Sequence, residues 1–181
     1  MDHDIAIIRP EMRLGQVVVR GTDLDPRQKK VARKALRTLH TLEIMATKVY
    51  ACQATRKRDS LGTALTAAMC NEMTHVQDYQ TKLYEYGMTP SKMRWAYWVV
   101  GYVFGIGSRL LGTRSILRTG IWVEQKAVDH YSRLLTSVEW DSDTQTVIEK
   151  ECGVVPALLS PVWPSGHPVD RVLLPLGTHL R

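Results

Sequence analysis

Three stretches of this chain read as amphipathic helices, and each has a glutamate inside its apolar stripe. In the first, Leu36, Leu39, Glu43, Ala46, Tyr50 and Gln53 follow a 3-4-3-4-3 spacing, the spacing of a helix-bundle seam. The second seam is Leu65, Ala68, Glu72, His75, Tyr79 and Tyr86, and the third is Leu117, Ile121, Glu124, Val128, Tyr131 and Leu135. A carboxylate buried alone on such a stripe is strongly unfavourable unless it is paired, hydrogen-bonded or bound to metal. Three glutamates and a histidine at seam positions therefore constrain the fold to one that brings them together. Glu72 and His75 lie three apart in Asn71-Glu72-Met73-Thr74-His75, so a helix projects both from one face, a turn apart. Carboxylate-bridged di-metal sites in four-helix bundles use this Glu-x-x-His spacing. Carboxylates with an imidazole suit iron or manganese, and the lack of seam cysteines disfavours structural zinc. The competing reading rotates one or more helices and leaves the glutamates solvated.

Local signals set the boundaries. Asp25 as N-cap and Pro26 at the first helical position start a helix that runs to about Thr55. After Lys57-Arg58-Asp59-Ser60, with Ser60 as N-cap, a second helix runs to about Tyr86 and stops at Gly87 and Thr89-Pro90. The short loop makes the two helices antiparallel neighbours, so Glu43 can face Glu72. The third seam spans about Thr113 to Ser137. A last helix starts near Thr144 after the turn Trp140-Asp141-Ser142-Asp143, with Val147, Ile148 and Glu151 on its buried edge. Cys152-Gly153 is expected to break it, because residues 154–181 carry five of the eight prolines. The expected architecture is an all-α antiparallel helix bundle with an incomplete C-terminal helix. Residues 1–24 form an N-terminal arm, 25–151 the bundle and 152–181 an irregular tail. Ile5-Ala6-Ile7-Ile8 and Val17-Val18-Val19 could be strands but have no evident sheet partners.

The stretch from Trp95 to Gly107 is apolar nearly all round, too short to span a bilayer and flanked by Lys92, Arg94, Arg109 and Arg114. It is either a buried crossover or an interfacial helix lying in one leaflet, with Trp95, Trp98, Tyr102 and Phe104 as its membrane contacts. Five Trp and seven Tyr against one Phe suit an interface, where a ring is half apolar and half wet. The net charge of +6 points to an acidic partner, lipid or nucleic acid. No helix-turn-helix or aromatic-basic platform supports nucleic acid. The basic residues Arg27, Lys29, Lys30, Arg33, Lys34 and Arg37 read as a solvated face or as a contact for anionic lipid. Cys52, Cys70 and Cys152 read as reduced thiols. The acidic start Met-Asp-His-Asp-Ile argues against a secretory signal, so the expected location is cytoplasmic, peripheral on the inner face of the membrane.

The quoted seams, extended, resemble the demethoxyubiquinone hydroxylases, ferritin-like di-iron monooxygenases of ubiquinone biosynthesis. The likeness runs through Leu39-His40-Thr41-Leu42-Glu43, Val49-Tyr50-Ala51-Cys52-Gln53 and Met69-Cys70-Asn71-Glu72-Met73-Thr74-His75. It continues through the apolar segment ending in Leu110-Leu111-Gly112, then Val123-Glu124-Gln125 and His130-Tyr131, and covers about residues 30–151. The resemblance implies a ferritin-like bundle with the apolar helix interposed, two iron ions, and Glu43, Glu72, His75 and Glu124 as metal ligands. It implies O2 and a quinol as substrates, a membrane surface, and quinone-synthesis complex partners; a homodimer is compatible with it. His130, Tyr131 and Glu151 are candidates for outer-sphere or substitute ligand roles. The family's fourth helix has a second Glu-x-x-His, and here those positions fall near Val155 and Leu158, which cannot bind metal. A change of reading frame or gene end after about Glu151 accounts for the switch, and the coding DNA read in the other two frames tests it. Alternatively Glu149, Glu151 or His167 bends back to the site. Two functions follow: a di-iron monooxygenase acting on a demethoxyubiquinol-type ring, or an impaired family member serving as a membrane-associated scaffold.

Overall fold

A computed structural model describes residues 17–54, 59–135 and 138–159, apart from the side chains of Val128, Ser132, Leu135 and 151–159. Among these residues there are five helices and no strand: α1 (Pro26–Gln53), α2 (Ser60–Glu85), α3 (Arg94–Leu110), α4 (Thr113–Leu135) and α5 (Ser142–Leu159). The chain is an all-α helix bundle. Helices α1, α2, α5 and α4 contact one another in a ring, and α3 lies outside it against α1 and α4.

Capping sets the helix ends. The Asp25 side chain accepts from the backbone N–H groups of Arg27 (2.7 Å) and Gln28 (2.8 Å), and the Gln28 side chain reaches back to the Asp25 N–H. This reciprocal capping box satisfies donors that the first turn leaves unpaired. The N-cap of α2 is Asp59, not the expected Ser60, because the Asp59 carboxylate accepts from Gly62 N at 2.7 Å. Helix α2 ends where Gly87 takes φ +65°. Its neighbour Met88 then donates to the Leu83 carbonyl (2.7 Å) and Gly87 to Tyr84 (2.9 Å), a Schellman closure.

The expected seams of α1 and α2 are buried throughout: Leu36, Leu39, Glu43, Ala46, Tyr50 and Gln53 on one, Leu65, Ala68, Glu72, His75, Tyr79 and Tyr86 on the other. On α4 the stripe is rotated by about one residue. Ile116 and Val123 are buried, while Leu117 and Ile121 are half-buried. The apolar core falls into two clusters. One gathers Leu36, Leu39, Tyr79, Leu83, Tyr131, Trp140 and Ile148, the other Ala46, Val49, Tyr50, Leu65, Ala68 and Val123. In sequence, Glu43, Glu72, His75 and Glu124 all fall between the two clusters. They form a polar layer that divides the core.

Helix α3 approaches α1 through two glycines. A Cβ on Gly101 would lie 2.5 Å from the Met45 carbonyl oxygen, and one on Gly105 2.6 Å from Cys52 Cβ. Close backbone contact is their reason for being there. The opposite side of α3 is open: Trp95 is 64% exposed, Trp98 47%, Val103 62% and Leu110 82%. The buried-crossover reading is therefore excluded. Among the described residues, no helix is long and apolar enough to cross a membrane.

At the ends, residues 17–24 of the lead-in have no helix or strand and are anchored through Arg20. Arg20 pairs with Glu85 (2.7 Å), Asp141 (2.6 Å) and Asp143 (2.5 Å), and Lys82 pairs with Glu85 (2.8 Å) and Asp143 (2.5 Å). This cluster ties the lead-in to the end of α2 and the start of α5. Val17, Val18 and Val19 are exposed and form no strand, whereas Ile5 to Ile8 lie outside the described residues. The break expected at Cys152-Gly153 does not occur, since α5 continues to Leu159. A glycine costs an established helix only about 1 kcal/mol, and extension is easier than nucleation.

Candidate metal centre

Helix α1 presents Glu43, α2 presents Glu72 and His75, and α4 presents Glu124; all four side chains are buried. Glu43, Glu72 and His75 each direct one ligand-type atom into a group whose atoms lie within 4.8 Å of one another. His75 Nδ1 lies 3.5 Å from Glu72 Oε2 and 3.8 Å from Glu43 Oε2. The i,i+3 spacing sets the first of these distances, and the short α1–α2 connection sets the second. Glu124 lines the same narrow cavity as Glu43 and Glu72, with Leu42, Ala46, Val123 and Tyr131. It does not join the three-residue group.

Two tyrosines engage these carboxylates. The Tyr50 hydroxyl donates to Glu124 Oε1, and the Tyr131 hydroxyl donates to Glu43 Oε1. Each helix thus gives the other a glutamate and a tyrosine seven residues apart: Glu43 and Tyr50 on α1, Glu124 and Tyr131 on α4. The exchange is reciprocal and needs the two helices antiparallel. Tyr79 of α2 stacks on Tyr131, with ring centroids 6.3 Å apart.

Burial pushes both the Glu124 and Glu43 carboxyls up, and the hydrogen bonds and charges around each decide the outcome. At Glu124 burial is opposed by the Tyr50 hydrogen bond, the Glu43 charge adds to it, and the result is a pKa of about 8. Burial also raises Glu43, but hydrogen bonding from Glu72, His75 and Tyr131 outweighs it and holds that carboxyl below its usual range. Burial, with the Glu124 charge, drives the Tyr50 phenol well above its ordinary value. His75 is the basic side chain that acts on Glu43 and Glu124; no lysine or arginine is among the described groups acting on either. Several acids around one imidazole form a donor set that a hard or borderline cation such as iron or manganese fits.

The other candidates sit elsewhere. His130 is half-buried and hydrogen-bonds the Lys126 carbonyl within its own helix (3.3 Å), away from the acids. Tyr131 is at the centre, through Glu43. Glu149 is exposed and accepts from Gln145 (2.7 Å), so it does not bend back. The Glu151 side chain and His167 lie outside the described residues. Tyr50 was legible as a seam residue but not as a partner of Glu124. The signal that could have found it is the Glu-x6-Tyr spacing, which occurs on both α1 and α4. Gln53, on the same seam, turns instead to α3, where its Nε2 donates to Ser108 Oγ at 2.8 Å.

A family profile described as "Ubiquinone biosynthesis protein COQ7" matches residues 30–160. This chain belongs to that family. Among COQ7-family relatives is the bovine (Bos taurus) mitochondrial NADPH-dependent 3-demethoxyubiquinone 3-hydroxylase, 25% identical over 132 residues. That alignment covers 72% of this chain and 57% of the relative. The human (Homo sapiens) protein of the same name is 25% identical over 125 residues, covering 68% and 58% respectively. The chain thus spans little more than half the length of these curated relatives. The match begins before Glu43 and ends after Glu124, so it encloses the whole polar layer.

Proposed function

We propose that this COQ7-family chain acts at a membrane surface in ubiquinone biosynthesis, as an O2-dependent monooxygenase on a demethoxyubiquinol-type ring. The observation that carries this reading is the buried Glu43–Glu72–His75 group, with Glu124 across the same cavity. Glu43, Glu72 and His75 would hold iron, which when bound supplies the electrons that activate O2, with Glu124 facing them across the cavity. The overall change is balanced by an external donor. A ring C–H becomes C–OH, the second oxygen atom leaves as water, and the quinol or a reductase supplies two electrons and two protons. Tyr131 and Tyr50 would hold the carboxylates of Glu43 and Glu124 in orientation through the oxygens they already engage. The apolar clusters on either side of the layer would keep bulk water from it.

The exposed face of α3 supports the membrane part. Trp95, Trp98, Tyr102 and Phe104 would contact lipid, with Phe104 stacked on Trp122 of α4 at 5.4 Å. Lys48 lies 4.5 Å over the Trp98 ring, where a cation can meet headgroups. The chain would then be peripheral, on the inner face of its membrane. Beside Trp98 an open groove of about 380 Å³, lined by Ile44, Ala51, Met69, Met73 and Val76, offers an apolar seat for a quinone tail.

One observation favours a second reading, an impaired family member that binds membrane and metal without turnover. The family's second Glu-x-x-His would fall at Val155 and Leu158 of α5. The deciding experiment reconstitutes the purified chain with Fe(II) and follows O2 uptake with a demethoxyquinol. The monooxygenase reading expects hydroxylated product, lost in Glu72→Ala. Bound iron with no product after many equivalents of reductant overturns it.

A further inference from the structure

We infer that this chain seats one divalent cation, at Glu43, Glu72 and His75, and that its described residues offer no seat for a second. The inference rests on the metal-site part of the proposed function but not on catalysis. A nitrogen or oxygen ligand lies about 2.0–2.2 Å from an ion of this class, so two such donors are at most about 4.4 Å apart. The three donors already lie within 4.8 Å of one another. Both distances from His75 Nδ1 are under that limit, at 3.5 and 3.8 Å. Side-chain adjustments of a few tenths of an ångström close the group on one ion.

A second ion would need donors from α4 and α5. Helix α4 offers Glu124, one of whose oxygens is occupied by the Tyr50 hydroxyl. On α5, Asp143 is engaged with Lys82 and Arg20, and Glu149 faces solvent. From Glu151 to Leu159 the helix reads Glu-Cys-Gly-Val-Val-Pro-Ala-Leu-Leu, with one carboxylate, one thiol and no histidine. The side of the polar layer that α5 should complete therefore lacks an imidazole and a paired carboxylate. Beyond any carboxylate shared with the first ion, Glu124 is the one described donor left for a second, too few to fill a tetrahedral or octahedral shell.

The test is a titration of the full-length, chelator-stripped chain with Mn(II), read by equilibrium dialysis and electron paramagnetic resonance. The expected result is one tight equivalent per chain with the six-line signal of an isolated ion. Glu72→Gln, nearly isosteric, should weaken binding by more than roughly 100-fold, beyond what loss of an outer-sphere partner does. Glu124→Gln should change affinity by less than about threefold, against the roughly 10–100-fold that even an outer-sphere partner contributes. Circular dichroism shows whether each variant keeps the helical content of the parent. Two equivalents with an exchange-coupled spectrum, or no binding by the folded parent, overturns the inference. A large loss in folded Glu124→Gln overturns the assignment of that residue outside the ligand set. One bound ion with no hydroxylation leaves this inference standing and removes the monooxygenase reading; two ions with no hydroxylation remove both.

Discussion

At the scale of single residues, this protein concentrates buried charge in two places that behave differently. In the polar layer Glu43, Glu72, Glu124 and His75 lie buried together, and the hydroxyls of Tyr131 and Tyr50 donate to Glu43 and Glu124. Tyr131→Phe removes the donor to Glu43. Leaving one buried carboxylate oxygen without its donor costs about 1–3 kcal/mol, and urea unfolding of the metal-free chain should show a loss of that order. An unchanged midpoint would mean that the Tyr131 hydroxyl does not support Glu43. At the other place, Asp141 is held at about 2. Burial pushes it up, but hydrogen bonds from Tyr86 and Thr144 and the charge of Arg20 together pull it further down. A carboxyl depressed in the fold stabilises it above the unfolded value near 4, and that stability is lost as pH falls toward 2. Between about pH 4 and pH 2, Asp141→Asn should therefore show a shallower decline in stability than the parent. Parallel curves would refute the role given to Asp141.

At the scale of elements, α3 is the outlier. Its polar contacts with the ring are few, through Gln53–Ser108 and Arg109 to the Cys52 carbonyl at 3.2 Å. Its seat is otherwise made by glycine. Adding a methyl group at Gly105 would place it 2.6 Å from Cys52 Cβ and 2.8 Å from the Val49 carbonyl, and neither neighbour can swing away as a flexible side-chain tip would. Gly105→Ala should cost about 1–3 kcal/mol by overpacking. For a chain of this size that is roughly 2–4 °C of melting temperature per kcal/mol. The same change at Gly107, which has nothing within 4 Å, should be nearly neutral in a calorimeter. Equal effects at the two positions would contradict the packing described for α3.

At the scale of the whole molecule, the ring of four helices holds the polar layer while α3 presents its aromatic face outward. Binding to anionic liposomes should follow, weakening with salt because part of the attraction is electrostatic. Trp98→Asp puts a charge where a ring would meet lipid and should reduce co-sedimentation several-fold without loss of helicity. If the parent does not co-sediment at low ionic strength, the membrane assignment of α3 fails. Nothing in this arrangement ties membrane binding to the number of ions held, so the two can be measured separately.

Periodicity alone determined the helices of the bundle and the residues of its first two seams. A repeat of 3.6 residues forces Leu39, Glu43, Ala46 and Tyr50 onto one face whatever packs against it. The same rule brought Glu72 and His75 together, because three residues make nearly one turn. Capping chemistry placed the start of α1 and the end of α2 closely, since Asp25-Pro26 and Gly87 act within a few bonds of themselves. What the tertiary structure decided concerns partners far apart in sequence. That Tyr50 serves Glu124 and Tyr131 serves Glu43 depends on the antiparallel approach of α1 and α4, across 74 and 88 residues. That Arg20 is a clamp depends on acids 65 and more than 120 residues away. Whether an apolar helix is core or surface is likewise beyond composition. Two glycines on one side and aromatics on the other settle it only once α1 is in place to meet the glycines.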